Sequence, residues 1–221
     1  MDADVKAAKA PGKRTRNAAD TREKILKAAR SEFAQHGFAG GRTERILAAA
    51  GANPRMLYHY FGGKSGLYVA VLEEALGSLR EQELKIDVEH LSPFDGLIQL
   101  FEHMNRHFES DLRLVQLLRN ENLERARHMK ISKRIRDMSS PVLTMIADLL
   151  RRGAEDGTVR SGIDELQFYI IIVALNQFHL SNVHTLSVIF DQDLSRQSWR
   201  AARHETAVAM IRAFLTPTPI S

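Results

Sequence analysis

The sequence predicts an all-α protein of two domains, an N-terminal three-helix helix-turn-helix followed by a larger helical bundle. Three observations predict it. Apolar residues recur at helical spacing along most of the chain, as at Phe94, Leu97, Ile98, Phe101, Met104 and Phe108. Strand-like alternation is scarce, and no internal repeat is visible. Charge is uneven: Met1 to Lys64 carries 13 Lys and Arg against 6 Asp and Glu, a net +7, whereas the remainder nets −3. A basic front end on a slightly acidic body suits a chain that meets a polyanion at one end, although a solvated basic tail gives the same count.

Composition excludes several function classes. The 221 residues include no cysteine, which removes disulfides, thiolate zinc sites and cysteine nucleophiles. The first residues, MDADVKAAKAPGKRTR, lack the apolar core of a secretion signal, and the apolar run Tyr169 to Leu175 is too short to span a bilayer. A cytoplasmic protein without a membrane partner is expected. No nucleophile–base pair and no phosphate loop is visible, so neither an enzyme nor a cofactor is expected. His103 and His107 stand four apart, a spacing two metal-bound imidazoles can use. No third ligand is placed beside them, a solvated helix face explains them as well, and no metal is assigned.

Taken in order, residues 1–19 read as a flexible basic arm containing Pro11-Gly12. Asp20-Thr21-Arg22-Glu23 has the form of a capping box opening a helix with Ile25, Ala29 and Phe33 on one face, ending at Gly37. A short helix over Arg42 to Ala50 follows, then Gly51-Ala52. A second short helix restarts at Asn53-Pro54, with Asn as the cap and Pro in the first turn. Two short helices joined by a tight Gly-containing turn make a helix-turn-helix, giving a DNA-binding domain over 20–66. Gly62-Gly63 breaks the chain before a long helix, Ser65 to Lys85, and the second domain covers 67–221. Its further helices are expected at Leu112 to Ala126, Ile135 to Glu155, Glu165 to Leu180 and Arg196 to Leu215, besides the one through Phe101.

The segment from Asn53 to Lys64 carries the chemistry of double-stranded DNA recognition. As a helix it turns Leu57 and Phe61 toward the domain core and leaves Arg55, Met56, His59 and Tyr60 outside. Arg55 can pair with guanine, Met56 can touch a thymine methyl, and His59 and Tyr60 can donate to phosphates. Tyr58 is open between a DNA contact and core packing. Lys64 and the free amides of the next helix can hold a phosphate. Arg42, Thr43 and Arg45 stand where they can meet the flanking backbone, and Asn53 and Pro54 complete the expected interface.

The stretch TREKILKAARSEFAQHGFAGGRTERILAAAGANPRMLYHYFGGKSGLYVAVL, Thr21 to Leu72, resembles the DNA-binding region of the TetR family throughout, most specifically in Leu57-Tyr58-His59-Tyr60-Phe61 and the Lys after the turn. It departs where the family usually has Thr or Ser: Gly41 and Arg42 lack the capping hydroxyl, and Arg42 or Thr43 is left to make that phosphate contact. Asn53-Pro54-Arg55 and Met56 also differ, which leaves the operator sequence open.

The resemblance implies a ligand-responsive transcriptional regulator, a repressor, that binds a palindromic operator as a homodimer. It implies a C-terminal domain that dimerises through the last two long helices, with Ile170, Ile171, Val173, Ala174, Gln177, Ala207, Met210, Ile211 and Phe214 as candidate interface residues. Candidate effector-lining residues are Phe101, Met104, Asn105 and Phe108; Met138, Val142 and Met145; and Tyr169, Ile172, Asn176 and His179. Each is as readily a core residue. Arg119-Asn120-Glu121-Asn122 is unusually polar for an apolar-periodic helix, so one or two of these four side chains are expected to face inward, and Arg119 or Asn122 is grouped with Tyr169, Asn176 and His179. That set suits an aromatic or carboxylated small molecule. A DNA-organising protein of the same fold, without an effector, is the competing reading.

Overall fold

In a computed structural model, residues 13–87, 90–138 and 140–217 are described; among them are eleven α-helices, one 3-10 turn and no strand. The chain divides into two compact units at Val71/Leu72, inside one helix and a little beyond the expected boundary at residue 66.

The first unit comprises α1 (Lys13–Gly40), α2 (Thr43–Ala50), α3 (Pro54–Phe61) and the start of α4 (Lys64–Glu83). Helix α1 begins earlier than the sequence suggests. Asp20 lies inside it rather than capping it, so the capping box does not form, and residues 13–19 of the expected arm are helical. The rest of that arm, residues 1–12, falls outside the described residues. Gly37 breaks the helical path at φ 65°. The core is Ile25, Ala29 and Phe33 from α1, Ile46 and Leu47 from α2, Leu57 from α3, and Leu67 and Tyr68 from α4. Tyr68 meets the ring of Phe33 edge-on, 4.9 Å between centroids, and that of Phe38 at 5.3 Å. Each large apolar side chain buried here contributes about 1.5–3 kcal/mol, so these few residues dominate the unit's stability.

Two glycines let the helices come this close. A Cβ on Gly66 would lie 1.8 Å from the Phe61 carbonyl oxygen, so only glycine lets α4 begin against the end of α3. A Cβ on Gly41 would fall 2.6 Å from the Phe33 ring. With this placement of Phe33, any side chain at position 41, Ser or Thr included, would crowd its ring.

The second unit builds on α5 (Pro93–Ser110), which packs against α6 (Leu112–Leu123), α8 (Ser140–Glu155), α9 (Glu165–Ser181) and α11 (Gln197–Leu215). Phe101, Met104 and Phe108 of α5 meet Val142 and Ile146 of α8 and Phe168 and Ile172 of α9 in a buried core. Three sequence boundaries shift. The helix expected to Ala126 ends at Leu123, because Arg125 and Ala126 take left-handed conformations at φ 55° and 56°. The helix expected over Ile135 to Glu155 is interrupted, with α7 (Lys133–Asp137) separate from α8. An unexpected helix, α10 (Val183–Ile189), follows α9.

The α6–α7 connection is held by a buried acid. Glu121, 1% exposed, accepts the backbone amides of His128 at 2.7 Å and Met129 at 3.1 Å, and its other oxygen lies 3.0 Å from His128 Nδ1. Among the described residues no helix is long and apolar enough to cross a membrane.

Candidate DNA-reading face and effector cluster

Local chemistry fixes α3. Asn53 caps it, its side-chain oxygen accepting the Met56 amide at 3.1 Å, and Pro54 occupies the first turn, where an amide would go unpaired. Gly51, left-handed at φ 60°, ends α2 and makes the turn between the two helices. Leu57, 4% exposed, anchors α3 to the core. At about 100° per residue, Arg55 and His59 then point directly away from the core, with Tyr58 and Met56 flanking them. Arg55 and His59 are exposed, and Met56 and Tyr60 are half-buried. Tyr58 is 67% exposed, so it belongs to the outer face rather than to the core. Phe61, assigned to the core, is only half-buried and lies under the Arg22 guanidinium, 5.1 Å from its ring centre.

The entry to α2 is braced from α1 by a contact that the sequence did not show. Glu32 of α1 accepts Arg42's own amide at 2.8 Å, while no side chain caps the first-turn amides that a hydroxyl at the cap would take. The same carboxylate holds the Arg45 guanidinium through Nε at 2.8 Å and through a second, shorter bond from Nη2. Arg45's hydrogen bond is the main reason the Glu32 carboxyl is held below its ordinary pKa, despite partial burial. Arg45 is therefore already paired, whereas Arg42 is exposed and Thr43 is half-buried, its hydroxyl 3.5 Å from Glu44. Lys64 starts α4 with its ammonium 4.8 Å from the centre of the Phe38 ring and 3.5 Å from the Ala39 carbonyl.

In the second unit the proposed effector residues separate into groups. Phe101, Met104, Phe108, Val142 and Ile172 are buried in the core; Met138 and Met145 are half-buried. Asn105 donates to Asn176 at 3.1 Å, and Asn176 donates back to the Ile172 carbonyl at 3.0 Å. Next to them His179 lies 3.7 Å from Glu109, which also pairs with Arg200. Burial is the first cause lowering the His179 pKa and the Arg203 charge the second, against the raising effect of Glu109. Tyr169 belongs to another cluster. Its hydroxyl donates to the fully buried Glu83 at 3.4 Å, and Arg80 lies over its ring. Burial pushes the Tyr169 pKa to about 12 and that of Glu83 to about 6.

Arg119 and Asn122 do not face inward. They are exposed and line a surface groove of about 430 Å³ with Leu123 of α6 and Ala174, Gln177 and Phe178 of α9. The inward residue of that polar stretch is Glu121. It falls at i+4 from Leu117 and i+7 from Leu114 on the apolar stripe, a signal visible in the sequence. Of the candidate interface residues, Ala207 and Ile211 are buried within the unit, and Phe214 stacks on Phe168 at 6.4 Å. Ile170 of α9 and Met210 of α11, also candidates, are exposed, as are Leu166 and Phe178 of α9.

Comparison with known proteins places this architecture. Residues 25–71 match the family described as bacterial regulatory proteins, tetR family, and residues 93–211 match the tetracyclin repressor-like C-terminal domain. The chain is 33% identical over 190 residues to the HTH-type transcriptional repressor NicS of Pseudomonas putida, covering 86% of this chain and 90% of that protein. It is 43% identical over 70 residues to the regulator RutR of Escherichia coli, covering 32% of this chain and 33% of RutR. In fold it is similar to the reduced form of NemR from Escherichia coli, with a TM-score of 0.66 at 19% identity over 91% of this chain and all of that one. A TetR transcriptional regulator from Chloroflexus aurantiacus gives a TM-score of 0.65 at 21% identity, covering 90% and 96%. Family matches to both units and a repressor relative along nearly the whole length lead to one conclusion: the chain belongs to the TetR family of DNA-binding transcriptional regulators.

Proposed function

We propose that this regulator is a repressor, which binds a palindromic operator as a homodimer and is released when a small aromatic or carboxylated molecule occupies its C-terminal unit. The observation that carries the reading is α3, capped by Asn53 and anchored by Leu57, with Arg55, Tyr58 and His59 exposed on its outer face. Repression is supported by the relation to NicS, which is named a repressor.

Dimerisation is supported by α9, which is apolar on two opposite faces. Phe168, Ile172, Asn176 and His179 face inward, while Leu166, Ile170, Ala174 and Phe178 form an exposed stripe on the other side. A helix apolar all round calls for a second covering surface, and a second copy supplies one with two-fold symmetry. That symmetry presents two α3 helices to successive major grooves and makes the operator a palindrome. Release follows if the effector favours a conformation whose α3 spacing misfits the operator, with α4, continuous across the division between the units, as the lever.

Selection of bound duplexes from a random DNA pool tests this. A palindromic consensus is expected. Arg55→Ala should relax one base position by about 1–3 kcal/mol, and Tyr60→Ala should weaken all sites alike. Recovery of no consensus, with binding that only fades as salt rises, would instead support a DNA-organising role.

A further inference from the structure

We propose that the groove between α6 and α9 receives the α10 tip of a second copy of this chain, Val188-Ile189-Phe190, so that two chains exchange tips reciprocally. The inference rests on the homodimer reading above and adds a second contact to the α9 stripe.

The tip is apolar yet turned outward. Val188, Ile189 and Phe190 are 82%, 69% and 66% exposed, three adjacent large apolar side chains left open to water. Its backbone is nevertheless closed on itself. The Asp191 amide donates to the Val188 carbonyl at 3.3 Å and the Gln192 amide to that of Ser187 at 3.0 Å. Leu194, 4% exposed, pins the returning chain, its amide donating to the Ser187 hydroxyl at 3.1 Å. A tip held in shape before it binds loses little freedom on docking. None of its three residues lines the groove of its own chain.

The groove, of about 430 Å³, has Leu123, 80% exposed, on its α6 side and Ala174 and Phe178, the latter 60% exposed, on its α9 side. Walls this open do not enclose a small molecule, which a ligand pocket normally buries over most of its surface. They suit a protruding aromatic side chain, a common anchor of protein interfaces. Charge favours this pairing. Arg119 stands at the groove and Asp191 beside Phe190; both are exposed, and among the described residues neither makes an ion pair. Through Ala174 and Phe178 the groove also continues the exposed stripe that begins at Leu166 and Ile170. A two-fold mate that covers the stripe brings the groove into the same interface, and the symmetry gives each chain one tip to donate and one groove to receive.

The chain has no cysteine, so introduced thiols can be read without background. Chains carrying Leu123→Cys and chains carrying Phe190→Cys, co-expressed and mildly oxidised, should form a mixed disulfide between chains, since docking brings the two positions within the roughly 7 Å that a disulfide allows. Arg151→Cys, at an exposed position of α8, should form none when it replaces Leu123→Cys. By analytical ultracentrifugation, Phe190→Asp should weaken the dimer midpoint at least about tenfold, as loss of an interface anchor does. Arg119→Gln and Asp191→Asn should each weaken it severalfold, and the double variant no further than either alone. These two exposed positions carry the test if Phe190→Asp fails to fold by circular dichroism. In a chain that still dimerises, a missing mixed disulfide or an unchanged midpoint in the tip variant overturns the exchange and leaves the homodimer standing. Assemblies that grow beyond a dimer overturn its reciprocity. An original chain that stays monomeric at every concentration overturns both readings.

Discussion

The two units handle polar groups in opposite ways. The buried polar residues among those described, Glu83, Glu121, His128, Ser132, Asn176 and His179, all belong to the C-terminal unit, whereas the N-terminal unit has an apolar and aromatic core and keeps its charges outside. The N-terminal arrangement makes a platform whose polar groups are displayed on its surface. The C-terminal arrangement commits hydrogen bonds to the interior, where each is strong when paired and costly when not. A reader of DNA needs the former, and the latter suits the effector-receiving role proposed for the C-terminal unit.

The contrast is broken most severely at the glycine contact. Gly66→Ala forces a carbon against the Phe61 carbonyl and should cost the N-terminal unit about 3 kcal/mol or more, the upper range of overpacking. Gly77→Ala in the C-terminal unit meets only the Met138 methyl at 3.7 Å and should be neutral or better. Urea denaturation of both variants checks the pair; similar losses would show that close approach is not what singles out Gly66.

Next is the buried acid. Glu121→Ala removes the acceptor of two backbone amides and of His128, and should destabilise the C-terminal unit by roughly 2–3 kcal/mol. Hydrogen exchange should show the amides of His128 and Met129 losing protection first. Retained protection in the variant would mean that Glu121 does not organise the connection.

A smaller effect concerns pH. The folded pKa of Glu83, about 6, exceeds its ordinary 4.5, so the folded chain holds more protons between these values. Its stabilising contribution is therefore present below about pH 4.5 and is lost as pH rises through about 6, a change of about 2 kcal/mol. Glu83→Gln should flatten that part of the stability profile measured by denaturation from pH 4 to 7. A profile parallel to that of the original protein would refute it. The smallest effect is Asn53→Ala, about 1 kcal/mol for a lost helix cap, read as a fall in melting temperature.

Legibility follows the range of the interactions involved. The caps at Asn53 and Pro54, the turn at Gly51 and the inward Leu57 are set within a few residues, so the outward face of α3 is legible from the sequence. The role of Glu32 is not. Its partners Arg42 and Arg45 lie 10 and 13 residues away, and only folding brings them together. The start of α1 was misread for the converse reason, since a good local capping signal at Asp20 was overridden by continuation of the helix through it. In the C-terminal unit helical periodicity found the long elements but not the pairing of polar groups. Asn176 and His179 were recognised as candidates, yet Arg200, Arg203 and Glu109, contributed by two other helices, escaped notice. Polarity alone leaves Arg119, Asn120, Glu121 and Asn122 undistinguished, whereas the position of Glu121 on the apolar stripe marks it as the inward one.

The clasp between Glu32 and Arg45 also bears on the ionic atmosphere of the operator. Binding strength falls with salt because each cation that neutralises a phosphate releases condensed counterions. A guanidinium already compensated by a carboxylate brings little net charge to the polyanion, so Arg45 should be nearly silent in that release. On the proposed reading, the salt sensitivity of operator binding would be set by cations outside the clasp, with Arg42, Arg55 and Lys64 as the candidates. Cutting the clasp at Glu32 would make the regulator hold DNA harder in dilute salt while reading its sequence no better.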